Sequence, residues 1–246
     1  MGPAGFSNFD LLTSDDPAAE VIRLISEVAA GGAASLFLTG GSQAELVYPR
    51  LFPSLVADPT LAGVGLYLGD ERLVPLAHPD SNTAMLDSIE AAPKGPDEIV
   101  SPTRAFSARL ATSAAAGTDP SRETLHEILG WWSAKLKAAP IPRIVHLGLG
   151  PDGHVASIFP HSDDLGLATP QCTVALDTTG LNRHLRVSVT MDYIDDAELV
   201  ILSTTGAVKG KALKAALDDP PSYPAGRLRP KRLAVVIDRE AQAALA

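Results

Sequence analysis

One cysteine, Cys172, stands in the whole chain. No internal disulfide can close, and no cysteine-ligated zinc cluster can form. Within "CTVAL" the residue reads as a small buried hydrophobe. Long apolar runs are missing too, since none approaches the roughly 20 residues of a membrane-spanning helix. The opening "MGPAGFSNFD" has no basic stretch followed by an apolar one, so it does not read as a secretory signal. A soluble, cytoplasmic protein is expected. Positive charge is short: 20 Lys and Arg face 29 Asp and Glu, a net charge of −9. That balance argues against nucleic acid and anionic membranes as partners. It leaves room for a small anionic substrate, because a local cationic pocket can sit inside an acidic protein. No histidine pair has a spacing such as H-E-x-x-H, so no catalytic metal is expected.

What the chain does have is apolar content. Its 246 residues are 46% hydrophobic, enough to bury the core of one large α/β domain. No stretch reads as an interdomain linker, so residues 1–246 are expected to form a single domain. In residues 17–30, Val21, Ile22, Leu24, Ile25 and Val28 recur at helical spacing, with Asp16 as cap and Gly31-Gly32 as stop. "ASLFL", "VGLYL", "RIVHLGLG", "AELVILSTTG" and "RLAVVID" read as buried strands. "CTVAL" and "HLRVSVT" add two more. Helices are expected in "QAELVYPRLF", "DSNTAMLDSIEAA", residues 120–138, "AVKGKALKAAL" and "REAQAALA". Pro93–Pro102 reads as a loop, and "DDPPSYPAGRLRPKR" as a surface connection. Strands alternating with helices predict a three-layer α/β fold: a mainly parallel sheet with helices on both faces.

Ligands of such sheets sit beyond the carboxyl ends of the strands. That rule selects "TGGS", "GDER", "GPDGH" and "STTGAVKGK". Gly40, Gly41 and Ser42 precede a helix, where backbone N–H groups and the helix dipole suit a phosphate. Lys209 falls in the first turn of a helix, against the dipole, and a bound anion would give that placement a reason. Asp70, Glu71 and Arg72 crowd charge at a strand end. Either this is a solvated loop cluster, or Arg72 meets substrate oxygens while a carboxylate orients it or a sugar hydroxyl. Arg186 opens "RVSVT" and could reach the same pocket. His154 follows a glycine turn and is expected to start a short helix, with Asp152 close by. A neutral imidazole beside a carboxylate is equipment for general-base catalysis. Of the other histidines, His146 reads as core and His78, His126 and His184 as surface or packing residues. His161 could line the pocket rim.

"GLGPDGHVASIFP" also fits the dinucleotide fingerprint G-x-G-x-x-G, at Gly148, Gly150 and Gly153. Asp177 lies near the offset of a ribose-binding acid. A dinucleotide turn needs a helix of useful length after its third glycine, and Pro160, Gly166 and Pro170 interrupt it here. No cofactor is expected.

Three motifs then carry a resemblance: "LTGGS", "LGDERLVPLAHPDSN" and "LGLGPDGHVASIFP". With weaker echoes in "RVSVT", "GAVKGKAL", "YPAGRL" and "VIDREAQAAL", the chain resembles the 6-phosphogluconolactonases from about residue 36 to its C-terminus. The resemblance implies a fold shared with the sugar-phosphate isomerases and glucosamine-6-phosphate deaminase. It implies hydrolysis of 6-phospho-D-glucono-1,5-lactone without metal, with His154 as the catalytic histidine and Asp152 beside it. Arg72 would stabilise developing charge or hold substrate oxygens. The phosphate would rest on Gly40, Gly41 and Ser42, with Lys209 and Arg186 as counter-charges and Asp70 nearby. The deaminases carry a glutamate five residues beyond the motif histidine, where this chain has Phe159. They also carry Asp-Glu-Tyr in place of Asp70-Glu71-Arg72. Both differences point to the lactonase. The expected partner is the small-molecule lactone, with the chain a monomer or weak homo-oligomer.

Overall fold

The computed structural model describes residues 9–30, 32–90, 92–93, 98–161, 165–176 and 184–246. Gly31 and Asp177 lie outside them.

In chain order the strands are β1 (Phe9–Thr13), β2 (Ala34–Leu38), β3 (Val64–Leu68), β4 (Asp70–Arg72), β5 (Ile99–Val100) and β6 (Arg143–Gly148). β7 (Cys172–Ala175), β8 (Arg186–Val189), β9 (Leu199–Thr204) and β10 (Leu233–Ile237) complete them. The helices are α1 (Pro17–Ala29), α2 (Gly41–Ala57), α3 (Asn82–Ser88), α4 (Pro102–Ala105) and α5 (Ser107–Ala115). α6 (Arg122–Lys137), α7 (Met191–Asp195), α8 (Ala207–Asp218) and α9 (Arg239–Ala243) follow.

Seven strands pair in the order β1-β10-β9-β6-β2-β3-β5, every pair parallel. Successive side chains of a strand point to opposite faces, and the sequence uses this to build two cores. Leu36, Leu38, Ile144, Ile201 and Val236 face Val21, Ile25, Val47 and Leu51 of α1 and α2. Phe37, Val145, Leu147, Leu202 and Val235 face Ile128 and Trp132 of α6 and Leu213 of α8. The three-layer α/β architecture expected from the pattern is present. α1 starts as its sequence dictates, with Asp16 accepting from Ala19 N and Pro17 at the first turn.

The chain winds outward through β2, β3 and β5, then returns to lay β6 beside β2 and winds the other way through β9 and β10. The reversal lies between β2 and β6. Loops there diverge, which opens a crevice at the strands' carboxyl ends.

Four expectations need correction. The charged "DER" does not end a strand of the main sheet. It forms β4 of a separate antiparallel sheet, order β4-β8-β7, which also takes "CTVAL" and "RVSVT". Residues 154–159 form turns and isolated bridges (Leu149 with Val155, Val155 with Ile158), so His154 starts no helix. The proline-rich connection is not purely superficial, because Pro220, Ala225, Gly226 and Leu228 are buried. Within the stretch read as a loop, Ile99–Val100 forms β5.

Candidate active site

An open cleft of about 600 Å³ lies at this crevice. Its walls come from the turn after β2, from β4 and β8 of the small sheet, from the turn after β6, and from the start of α8. Gly40, Gly41, Ser42, Asp70, Arg72, His154, Arg186 and Lys209 all line it. Asp152 stands behind His154 and completes the nine expected residues.

His154 is held by its neighbour. Nδ1 lies 2.5 Å from Asp152 Oδ1, and the same oxygen accepts the His154 backbone N–H at 3.2 Å. The carboxylate fixes the tautomer with the proton on Nδ1, leaving Nε2 with its lone pair. Nε2 has no hydrogen-bond partner among the described residues. Burial pushes the Asp152 carboxyl up, but the hydrogen bond and charge of His154 outweigh it, and its pKa falls below the usual carboxylate value. Phe159 sets the other side of the ring, its centroid 5.0 Å from that of His154. The same phenyl ring lies 5.4 Å from the Arg186 guanidinium. A glutamate there would instead place a second carboxylate against the histidine.

The backbone makes room for this pair at Gly150. A Cβ on Gly150 would fall 2.1 Å from His154 Nδ1 and 2.7 Å from Asp152 Oδ1.

The cationic wall rests on the small sheet. Arg72 and Arg186 are register partners across β4 and β8. Arg186 is 2% exposed and lies 3.7 Å from Asp70, whose Oδ2 also accepts from Ser157 Oγ at 2.5 Å. Arg72 donates to Asp80 O and to Asn82 Oδ1, both at 2.8 Å. Asn82 in turn donates to Asp70 O at 2.9 Å.

Glu71 faces away from the cleft and is fully buried. Its carboxyl accepts from the backbone N–H of Arg72, Asn82 and Thr83, each at 2.8 Å, and from the hydroxyls of Ser81 and Thr83. Two of those amides belong to the first turn of α3. Burial nonetheless pushes its pKa up, against the pull of these donors. Glu71 therefore orients Asn82 and, through it, Arg72.

Opposite, Lys209 donates to Ser42 Oγ at 2.8 Å, which joins the first turns of α2 and α8. Desolvation lowers its pKa. Two like helix ends and a lysine converge on one point, a natural seat for an oxyanion.

A buried polar chain supports this side. Thr39 N donates to Tyr48 Oη at 2.8 Å, and that hydroxyl meets His146 Nδ1 at 2.8 Å. His146 Nε2 meets Ser203 Oγ at 2.7 Å, and Ser203 donates to Gln43 Oε1 at 2.8 Å. One consistent direction satisfies every member: Tyr48 donates to Nδ1, and Nε2–H donates to Ser203. His146 is thus neutral, and burial pushes its pKa down to about 3. It is a core histidine, as its place in a buried strand implied. Gly148 N donates to Thr39 Oγ1 at 3.2 Å, tying the two loops at the crevice together.

Sequence reasoning passed over Asn82, Gln43 and Ser157, and took Thr39 only as part of the turn "TGGS". Asn82 lay inside "HPDSN" but carries no charge to draw attention. The signal available was its offset of one residue from Ser81, the N-cap of α3. His78 and His184 meet Asp80 at the cleft's outer edge, a grouping that no sequence spacing shows.

The fold and the cleft together define an α/β protein with a switch-point cleft lined by Arg72, Arg186 and Lys209 and a histidine–carboxylate pair. Residues 13–237 match the family described as glucosamine-6-phosphate isomerases/6-phosphogluconolactonase. The chain belongs to that family. It is 32% identical to a 6-phosphogluconolactonase of Xylella fastidiosa, over 91% of this chain and 92% of that one. It is 28% identical to a 6-phosphogluconolactonase of Synechocystis, over 89% and 88%. Among solved structures, 6-phosphogluconolactonase from Trypanosoma brucei superposes with a TM-score of 0.77 at 22% identity, covering 97% and 99%. A monomeric glucosamine-6-phosphate deaminase gives 0.70 at 15% identity, covering 97% and 100%. Among the described residues no helix is long and apolar enough to cross a membrane.

Proposed function

We propose that the chain is a cytoplasmic lactonase that hydrolyses 6-phospho-D-glucono-1,5-lactone to 6-phosphogluconate, a step of the oxidative pentose phosphate pathway. The observation that carries this reading is the His154–Asp152 pair facing a cationic cleft, with Phe159 packed where a deaminase would hold a glutamate.

His154 Nε2 accepts a proton from water as the water oxygen attacks the lactone C1. Asp152 stabilises the imidazolium that forms, through Nδ1–H. Negative charge moves onto the C1 carbonyl oxygen, and Arg72, held on the cleft wall by Asp80 and Asn82, is placed to stabilise it. Collapse breaks the bond from C1 to the ring oxygen, and Nε2–H returns its proton to that oxygen. Lys209, Ser42 and the Gly40–Gly41 backbone hold the phosphate. Arg186, fixed by Asp70, adds fixed positive potential.

Lactone generated in situ and followed by pH-stat tests the assignment. Turnover well above the spontaneous rate supports it, and the spontaneous rate alone overturns it. Ammonia release from glucosamine 6-phosphate would assign the site to the deaminase branch instead. His154→Ala lowers kcat by about 10²- to 10⁴-fold, the usual contribution of a general base. Lys209→Ala raises KM about tenfold, equivalent to roughly 1.4 kcal/mol, with a smaller change in kcat, since phosphate contacts persist from ground to transition state.

A further inference from the structure

Among the described residues, one cluster of metal-type ligands lies outside the machinery just described. Asp80 Oδ2 lies 2.9 Å from His184 Nε2 and 3.8 Å from His78 Nδ1. The three ligand atoms fall within 4.8 Å of one another. The two imidazoles stand edge to face, with centroids 5.1 Å apart. Ligand atoms bound tetrahedrally at 2.0–2.1 Å to zinc are about 3.3 Å apart. The two observed separations straddle that value within about half an ångström. His78 Nδ1 is unprotonated, since it accepts the Asp80 backbone N–H at 3.1 Å, and a bound cation would take the place of that N–H. All three side chains are partly exposed, which leaves an approach for a cation and at least one open position.

We propose that His78, Asp80 and His184 form a binding site for a divalent cation of the zinc type at the rim of the cleft. Two imidazoles and one carboxylate suit Zn²⁺, Co²⁺ or Ni²⁺ far better than Mg²⁺ or Ca²⁺, which select oxygen. The site joins two separate pieces of chain. Asp80 belongs to the segment whose carbonyl holds Arg72, and His184 stands two residues before Arg186. A bound cation therefore braces the two arginine-bearing strands of the small sheet, β4 and β8. It is separate from the His154–Asp152 pair, and it adds no step to the hydrolysis.

Metal binding is read directly, so the test does not depend on lactonase activity. The chelator-treated full chain is titrated with Co²⁺ and followed by visible d–d absorption, then with Zn²⁺ in competition. Saturable binding at neutral pH is expected, with Zn²⁺ raising Tm by about 3 °C or more near 100-fold excess over Kd and Mg²⁺ leaving it unchanged. His184→Ala weakens Co²⁺ binding at least tenfold, and Asp80→Asn does the same. His184 makes no contact with the proposed machinery, so the circular dichroism of its variant should match the parent. His154→Ala leaves Co²⁺ binding intact. The proposal is overturned if the parent chain shows no saturable binding or if His184→Ala binds as tightly as the parent. Loss of binding in His154→Ala would also overturn it, by assigning the metal to the His154–Asp152 pair.

Discussion

At Gly150 the missing methyl group is the space that His154 and Asp152 occupy. A Gly150→Ala chain must push the imidazole aside or tilt the loop. The expected outcome is a fall in kcat of about 10²-fold, comparable to losing the general base, with a small change in the urea midpoint. A chain that stays fully active would show that the pair has room to move. Gly40 follows the same rule, since a Cβ there would lie 2.1 Å from Asn82 Oδ1. Both glycines were visible in the sequence, but only as a phosphate turn and a nucleotide-like fingerprint. What they make room for lies two to four residues or several elements away, and no local pattern encodes that. His146 carries a pH consequence. Its pKa is about 3 when folded, below the ordinary 6.5, because burial disfavours the charged ring. Its contribution to stability is complete above pH 6.5 and is lost progressively as the pH falls toward 3, at about 1.4 kcal/mol per pH unit. Urea midpoints measured from pH 7 to 4 should decline on this account, and His146→Gln should flatten the decline.

Among the elements, α3 depends on a residue from a different strand. Glu71 fills the N-terminal end of that helix with a carboxyl that only accepts. Glu71→Gln turns one acceptor into a donor facing backbone N–H groups. A loss of about 1–3 kcal/mol is expected, the cost of an unsatisfied buried group, together with a raised KM as Asn82 and Arg72 lose their alignment. Differential scanning calorimetry and steady-state kinetics read the two effects, and an unchanged Tm would contradict this role. Most main-sheet strands and the long helices were legible because each is a strong apolar period. α2 persists through Pro49 and Pro53. Four large side chains around them (Val47, Tyr48, Leu51 and Phe52) are wholly buried, which offsets the helix-breaking cost. β1 was not legible: "FDLLT" is short, half exposed and at a sheet edge. The small sheet was misread for another reason. "VGLYLGDER" is continuous in sequence, but Gly69 donates back to Leu38 O and accepts from Val189 N, so the chain changes sheets at that residue. His154 starts no helix because Val155 pairs with Leu149 and Ile158 instead.

Across the whole molecule the acidic surface and the cationic cleft divide the charge. The net charge is −9, yet Arg72, Arg186 and Lys209 converge on one site. The nine residues expected at the site come together in and behind one cleft, at the switch point where this fold class binds ligands. Their polar supports were not legible in the sequence, because Thr39, Gln43, Ser157 and Asn82 are ordinary residue types placed by the switch point between β2 and β6.

The opposed arginines of β4 and β8 have a thermodynamic consequence. Directly opposite residues of an antiparallel pair project from the same face, and like charges so placed oppose each other. Asp70 pairs with Arg186, and Arg72 feels the Asp80 carboxylate only through a weaker electrostatic interaction. Any multivalent anion lying between them relieves this repulsion, so ligand affinity and conformational stability share one source. Inorganic phosphate at about 100 times its Kd should stabilise the protein by about 2.7 kcal/mol, and thermal shift assays will read it directly. At a fixed phosphate concentration the increment should shrink as ionic strength rises, because dissolved salt already screens the pair and raises the Kd. A phosphate effect independent of salt would locate the stabilisation elsewhere. Melting temperature thus becomes a gauge of how far anions fill the cleft.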